Sequence, residues 1–135
     1  MLQRVFGIAA GVLLAILLMV ASLSAHHSLA SEFDANKPVK ISGTVRKVEW
    51  KNPHVWFYVD GKDEVSGRTA VWGILVSAPN QLRRNGVPRD VLKQGDKVKI
   101  EGFLAKDGSA NAVGKQEGCP SCKVTFADGR TVFPE

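Results

Sequence analysis

Residues able to do chemistry are scarce in this chain. Its 135 residues include two cysteines and three histidines. Cys119-Pro-Ser-Cys122 therefore has no second pair with which to complete a four-cysteine zinc site. Glycine-rich phosphate loops are missing: nothing reads Gly-x-x-x-x-Gly-Lys-Ser/Thr or Gly-x-Gly-x-x-Gly, which removes the usual signatures of nucleotide binding. Ser28 and Ser31 lie near His26 and His27 in sequence only, with no strained elbow and no orienting acid to make a nucleophile. Glu32, Asp34 and Glu49 are separated by turns and form no acid–base pair. The length leaves no room for a second domain, a Rossmann unit or an eight-fold α/β barrel. These absences favour a binding or accessory module over an enzyme.

Charge is also missing from one place, Val5 to Ala25. Met1-Leu-Gln-Arg4 gives this stretch a basic start, and Ala21-Ser-Leu-Ser-Ala25 ends it in small residues, the layout of a cleaved export signal. An uncleaved anchor is the alternative, since about 20 apolar residues can span a bilayer. Small residues at the end and the lack of a basic stop-transfer flank favour cleavage. The expected division is residues 1–25 as signal and 26–135 as the folded domain, exported to the periplasm or secreted. Loss of Arg4 lowers the net charge from +5 to +4, a mild excess that says little about a polyanionic partner.

The mature part alternates in short β-like runs. Ile41, Gly43 and Val45 share one parity, Val48 and Trp50 the other, so a bulge is expected near Arg46-Lys47. Asn52-Pro53 marks a turn. Val55, Phe57 and Val59 then face one way, with His54, Trp56 and Tyr58 on the other side. Ala70, Trp72, Ile74 and Val76 form a third inward face. A short helix follows, with Ser77 as its cap, Pro79 in its first turn and Asn85-Gly86 as its stop. Val98, Ile100, Gly102 and Leu104 mark a fourth strand, Lys106 to Gly118 a loop, and Asp128-Gly129 the turn of a final hairpin. Five or six strands with one helix between the third and fourth predict a mainly β fold, a small OB-like barrel. An immunoglobulin sandwich would need seven strands and a core Trp flanked by distant cysteines.

The strings His26-His-Ser-Leu-Ala-Ser-Glu-Phe-Asp34, Lys37-Pro-Val-Lys-Ile-Ser-Gly-Thr-Val45 and Val48-Glu-Trp-Lys-Asn-Pro-His54 resemble a family of small exported bacterial proteins, domain of unknown function 6152. Trp72, Ser77-Ala-Pro-Asn80, Leu82-Arg-Arg-Asn-Gly86, Gly95-Asp96 and Asp107-Gly108 fit the same pattern. The resemblance implies export and an OB-like barrel, and it leaves the activity open. The cysteine pair is not part of that pattern.

Three groups of residues are candidates for function. Cleavage after Ser24 would place His27 third from a free amine, and cleavage after Ala25 would place His26 first; either terminus can chelate copper, with His54 as a further ligand. Against this, a histidine pair after a signal can be a plain polar lead. His54, Trp56 and Tyr58 offer flat rings on one strand face, suited to a small periplasmic solute or an anionic polymer, or else simply covering a barrel end. Nucleic acid is the less suitable polymer, because an exported domain seldom meets it. Cys119 and Cys122 can form a structural clip, bind metal with nearby histidines or act as a redox pair; their place before a hairpin, away from a helix start, favours the clip. Arg83, Arg84, Arg89, Lys97, Lys99 and Lys106 read as solvated faces.

Overall fold

A computed structural model describes residues 29–134 of the chain. The expected signal segment, with His26 and His27, lies outside the described residues. A four-residue helix α1 (Leu29–Glu32) leads into β1 (Phe33–Trp50), β2 (Val55–Asp63) and β3 (Thr69–Leu75). Helix α2 (Pro79–Arg84) follows, then β4 (Lys97–Ala105), β5 (Asn111–Val113) and β6 (Lys123–Phe126). No helix among the described residues is long and apolar enough to cross a membrane.

All six strands form one sheet in the order β1-β2-β3-β5-β4-β6, and a further β1–β4 pairing closes a ring through five of them. Every neighbour pair is antiparallel except β3–β5, which is parallel. Closure depends on the length of β1. Its residues Ile41 to Thr44 pair with β2 on one edge and with β4 on the other. Such a corner brings backbones close together: a Cβ on Gly43 would lie 2.3 Å from the Asp60 carbonyl oxygen, and one on Gly102 would lie 1.7 Å from that of Val113. Both positions therefore demand glycine.

The bulge expected from the parity change is present, as the β1–β2 register skips from Val45 to Lys47. Arg46, the extra residue, is tied back by a two-pronged contact to the Asp60 carboxylate, Nη2 to Oδ1 at 2.9 Å and Nε to Oδ2 at 3.0 Å. Inside the ring sit Ile41, Val45, Val55, Phe57, Val59, Trp72 and Ile74, with Leu82 of α2 closing over them. Trp72 is the largest fully buried side chain and donates its indole N–H to the Gly61 carbonyl at 3.2 Å.

Four local details differ from the sequence expectation. Ser77 does not cap α2; Ala78 holds that position without a side-chain bond, while the Ser77 hydroxyl donates to the Lys115 carbonyl at 3.4 Å. The stretch 106–118 contains β5, because Asn111 to Val113 find partners on β3 and β4. The lead before Lys40 is mostly strand, drawn into order by β4. The return arm after Asp128-Gly129 makes one bridge, Thr125 to Thr131.

Asp63 ends β2 and is 2% exposed. Its Oδ1 accepts the backbone N–H groups of Lys40 at 2.9 Å and Val65 at 3.2 Å, and its Oδ2 accepts the Ser66 N–H at 3.1 Å and hydroxyl at 2.6 Å. Burial pushes this carboxyl up, but the Ser66 hydroxyl and the three N–H donors together outweigh burial and hold it below its ordinary value. The folded carboxyl thus titrates below the unfolded one. Its contribution to stability is complete above the unfolded value and is lost as pH falls through the folded value. Asp63→Asn turns one acceptor oxygen toward donors as an amide NH2, and should cost about 2–3 kcal/mol at neutral pH. Urea denaturation should show that gap closing in acid; a gap independent of pH would remove the carboxylate from this account.

Candidate functional site

Strand alternation puts Val55, Phe57 and Val59 in the core and leaves Trp56 and Tyr58 half-buried on the outer side of β2, with His54, also half-buried, just before the strand. Register then fixes their neighbours. One row across the outer face runs Lys47, Tyr58, Gly73, Asn111; the next runs Glu49, Trp56, Leu75, Val113, Phe103. The first row is polar, and the second is apolar beyond Glu49.

In the polar row the Lys47 ammonium sits 4.5 Å from the centre of the Tyr58 ring, a cation–π contact that covers one face of it. The same ammonium bonds Glu49 at 3.0 Å, and Lys51 approaches Glu49 at 3.7 Å. The Lys47 hydrogen bond, with lesser help from Lys51 and against some desolvation, lowers the Glu49 carboxyl below its ordinary value. Asn111 lies over Gly73, where a Cβ would meet its Oδ1 at 2.3 Å.

The apolar row belongs to a second cluster outside the ring. Phe33, Leu75, Ala105, Val113, Cys119 and Cys122 are its buried members, with Leu29, Trp56 and Phe103 packed around them. Two clefts flank Phe33. One, of about 370 Å³, is lined by Trp56 and Phe33 together with Glu32, Lys106, Asp107 and Asn111. The other, of about 590 Å³, is lined mainly by apolar groups of Leu29, Phe33, Phe103 and the Cys119 loop. The Lys106 ammonium is tied to the Ala30 carbonyl, and its own N–H donates to the Glu32 carbonyl at 2.9 Å, so α1 is held against the end of β4. The Ser109 hydroxyl, then the Ser109 N–H, keep the Asp107 carboxyl below its ordinary value.

Trp56 and Tyr58 therefore share a face but not an environment, and His54 stands just before their strand. Trp56 borders a cleft, Tyr58 lies under an ammonium, and the Nδ1 of His54 is buried with no hydrogen-bond partner. Among the described residues no three His, Cys, Asp or Glu side chains converge on a possible metal site. Cys119 and Cys122 form a disulfide across a Cα–Cα distance of 5.3 Å, in a turn before β6 and in no helix. Sequence reasoning missed the part played by Phe33 and Asn111, because both lie in stretches it treated as lead and loop.

The fold and this face define a mostly β protein with a five-strand ring and an aromatic, cleft-bearing outer surface. The chain belongs to the family of unknown function DUF6152, which matches it over residues 14–115. No curated protein and no solved structure matches it. The disulfide and β6 lie beyond the matched residues.

Both cysteines are buried, Cys119 at 4% and Cys122 at 1% exposure. Attack by a thiolate needs access to a sulfur. Millimolar glutathione should therefore leave the native protein at the mass of the disulfide form and reduce it once urea is added. Reduction of the native protein at the same rate as of the unfolded chain would show that the bond is open to exchange.

Proposed function

We propose that the protein is an exported binding module, a small OB-type barrel freed from residues 1–25 by cleavage, that holds a small periplasmic solute against Trp56. The strand order β1-β2-β3-β5-β4-β1, the parallel β3–β5 pair and the helix between β3 and β4 support the OB reading. In such barrels the outer face of the second and third strands is where ligands lie. The observation that carries the proposal is a half-buried indole at the lip of a cleft of about 370 Å³, within the size range of small-molecule sites. The cleft carries Glu32 and Asp107 beside Lys106. That mixed charge favours a compact polar solute over an anionic polymer, which would want one sign throughout. Tyr58, one row away, would extend the surface.

Stacking on an aromatic ring is worth about 1–3 kcal/mol, so Trp56→Ala should weaken binding roughly ten- to a hundredfold. Titration with a neutral sugar such as maltose and with an aromatic amino acid such as phenylalanine, followed by Trp emission, is expected to show saturation, and calorimetry to show the ten- to hundredfold weakening in Trp56→Ala. Emission unchanged by either probe would take away the support for this face.

A second reading, copper at histidine, rests on the buried and unpartnered Nδ1 of His54. His26 and His27 stand three and two residues before Leu29, a span of at most about 10 Å, and Leu29 packs on the same cluster as Trp56, two residues along from His54. The amine and imidazoles of a processed terminus suit Cu(II). Terminal sequencing should give Ala25 or His26, and Cu(II) titration should give one equivalent that is lost in the H26A/H27A double variant. Equal copper affinity in the two proteins ends this reading.

A further inference from the structure

On the outer face of β1 the register lays side chains out in rows. One row runs Lys62, Ser42, Lys99, Thr125; the row on one side of it runs Lys40, Glu101, Lys123, and the row on the other runs Asp60, Thr44, Lys97. Alternation buries Ile41, Val98, Ile100 and Val124 beneath, and all five lysines are exposed. The acids of this face are already engaged. Asp60 holds Arg46 at 2.9 Å, Glu101 pairs with Lys123 at 3.4 Å, and Glu64 accepts the Ser42 hydroxyl at 2.7 Å. Among the described residues no ion pair uses Lys40, Lys62, Lys97 or Lys99. Arg46 and the five lysines against three acids leave +3 on this face, most of the +4 that the chain keeps without Arg4.

The next row along the same strands is apolar. Pro38 pairs with Phe103, and Phe103 borders the cleft of about 590 Å³ whose walls include Leu29, Phe33, Ala35 and Pro120. Rows stand about 7 Å apart along a strand, and strands about 5 Å apart, so the basic rows run straight into this groove. Leu29, in the groove wall, stands four residues after Ala25, where the uncharged stretch from Val5 ends. That stretch is about as long as a bilayer-spanning segment. A precursor held in a membrane by it would carry the domain with the groove toward the lipid.

We propose that this face, basic rows and groove together, docks the domain on an anionic phospholipid surface, with the lysines on headgroups and the groove against acyl chains. Clustered lysines are drawn to the negative potential of such a surface, and an apolar patch beside them takes the contact below the headgroups. A bilayer presents a plane of charge, so it needs cations that share a face and not cations that converge on a point. A soluble polyanion would use the rows and leave the groove empty; the two features together select lipid. The groove shares Phe33 with the Trp56 cleft but none of that cleft's charged residues, and docking does not depend on a bound solute.

The test is flotation with vesicles of phosphatidylcholine, with and without phosphatidylglycerol. It uses the chain from His26 onward, which keeps both apolar clusters of the fold and lacks the uncharged stretch. Flotation is expected with the anionic vesicles alone and should weaken with salt. A lysine near an anionic surface is worth about fivefold in affinity, so Lys62→Gln/Lys99→Gln should weaken binding roughly 25-fold. Arg83→Gln/Arg89→Gln removes the same charge beside Trp50, about 25 Å along β1 from Ser42, and should leave affinity within about twofold. Ala35→Trp puts a reporter at an exposed groove position, and acyl-brominated lipid should quench the emission it adds. The proposal is overturned if neutral vesicles bind as well as anionic ones, if the two double variants lose affinity equally, if soluble polyphosphate binds more tightly than the vesicles, or if brominated chains leave the added emission unquenched.

Discussion

Four residues of β1, Ile41 to Thr44, hydrogen-bond a neighbouring strand on each edge, and the closed ring exists because of that double duty. A strand can pair on both edges anywhere in a sheet, but here the two partners are the second strand and the fourth, so the sheet must curl until its ends meet. Curling brings chains closer than side chains allow. Gly43 faces Gly61 across one pairing, and the space its Cβ would need is occupied by the Asp60 carbonyl. Asp63 performs the same service at the far end of β2, where one carboxylate holds the Lys40 backbone of β1 and the two residues of the next turn. Burial alone would disfavour that charge, and its four donors make it tolerable.

Closure leaves the protein with two apolar layers. The larger lies inside the ring. The smaller lies outside it, between the β3–β5–β4 surface and a cover built from α1 and the disulfide turn. A small domain has little apolar surface to spare, and an outer cluster needs fastening. The disulfide and the Lys106 contacts to α1 provide it. Trp56 sits where this cover stops, which makes it both a member of the cluster and the wall of a cleft.

Much of this was legible in the residues. The parity change between Val45 and Val48 located the bulge, Gly86 stops α2 with φ at +76°, and Gly129 turns the last hairpin at +90°. β5 was not legible, since three residues carry no periodicity of their own and only their partners on β3 and β4 make them a strand. The start of β1 was hidden in the same way: Lys37-Pro38 reads as a polar lead until β4 supplies the pairing. Arg83 and Arg89 read as solvated residues, and both are exposed. Trp56 and Tyr58 were placed on one face correctly. Their different surroundings came from Lys47, Phe33 and Asn111, which are distant in sequence or lie in stretches without a pattern.

The bulge connects the ring to its outer face. Ahead of it the inward residues of β1 are Ile41, Gly43 and Val45; had that parity continued, Lys47 and Glu49 would point into the core and Trp50 out of it. The extra residue, Arg46, reverses the phase, and its fork to Asp60 anchors it in the exposed position. Glu49 is thereby delivered to the outer face beside Trp56, where Lys47 and Lys51 neutralise it. Trp50 is delivered to the other side, against the core and α2. One inserted residue thus decides which of two chain neighbours, an acid or an indole, faces the core.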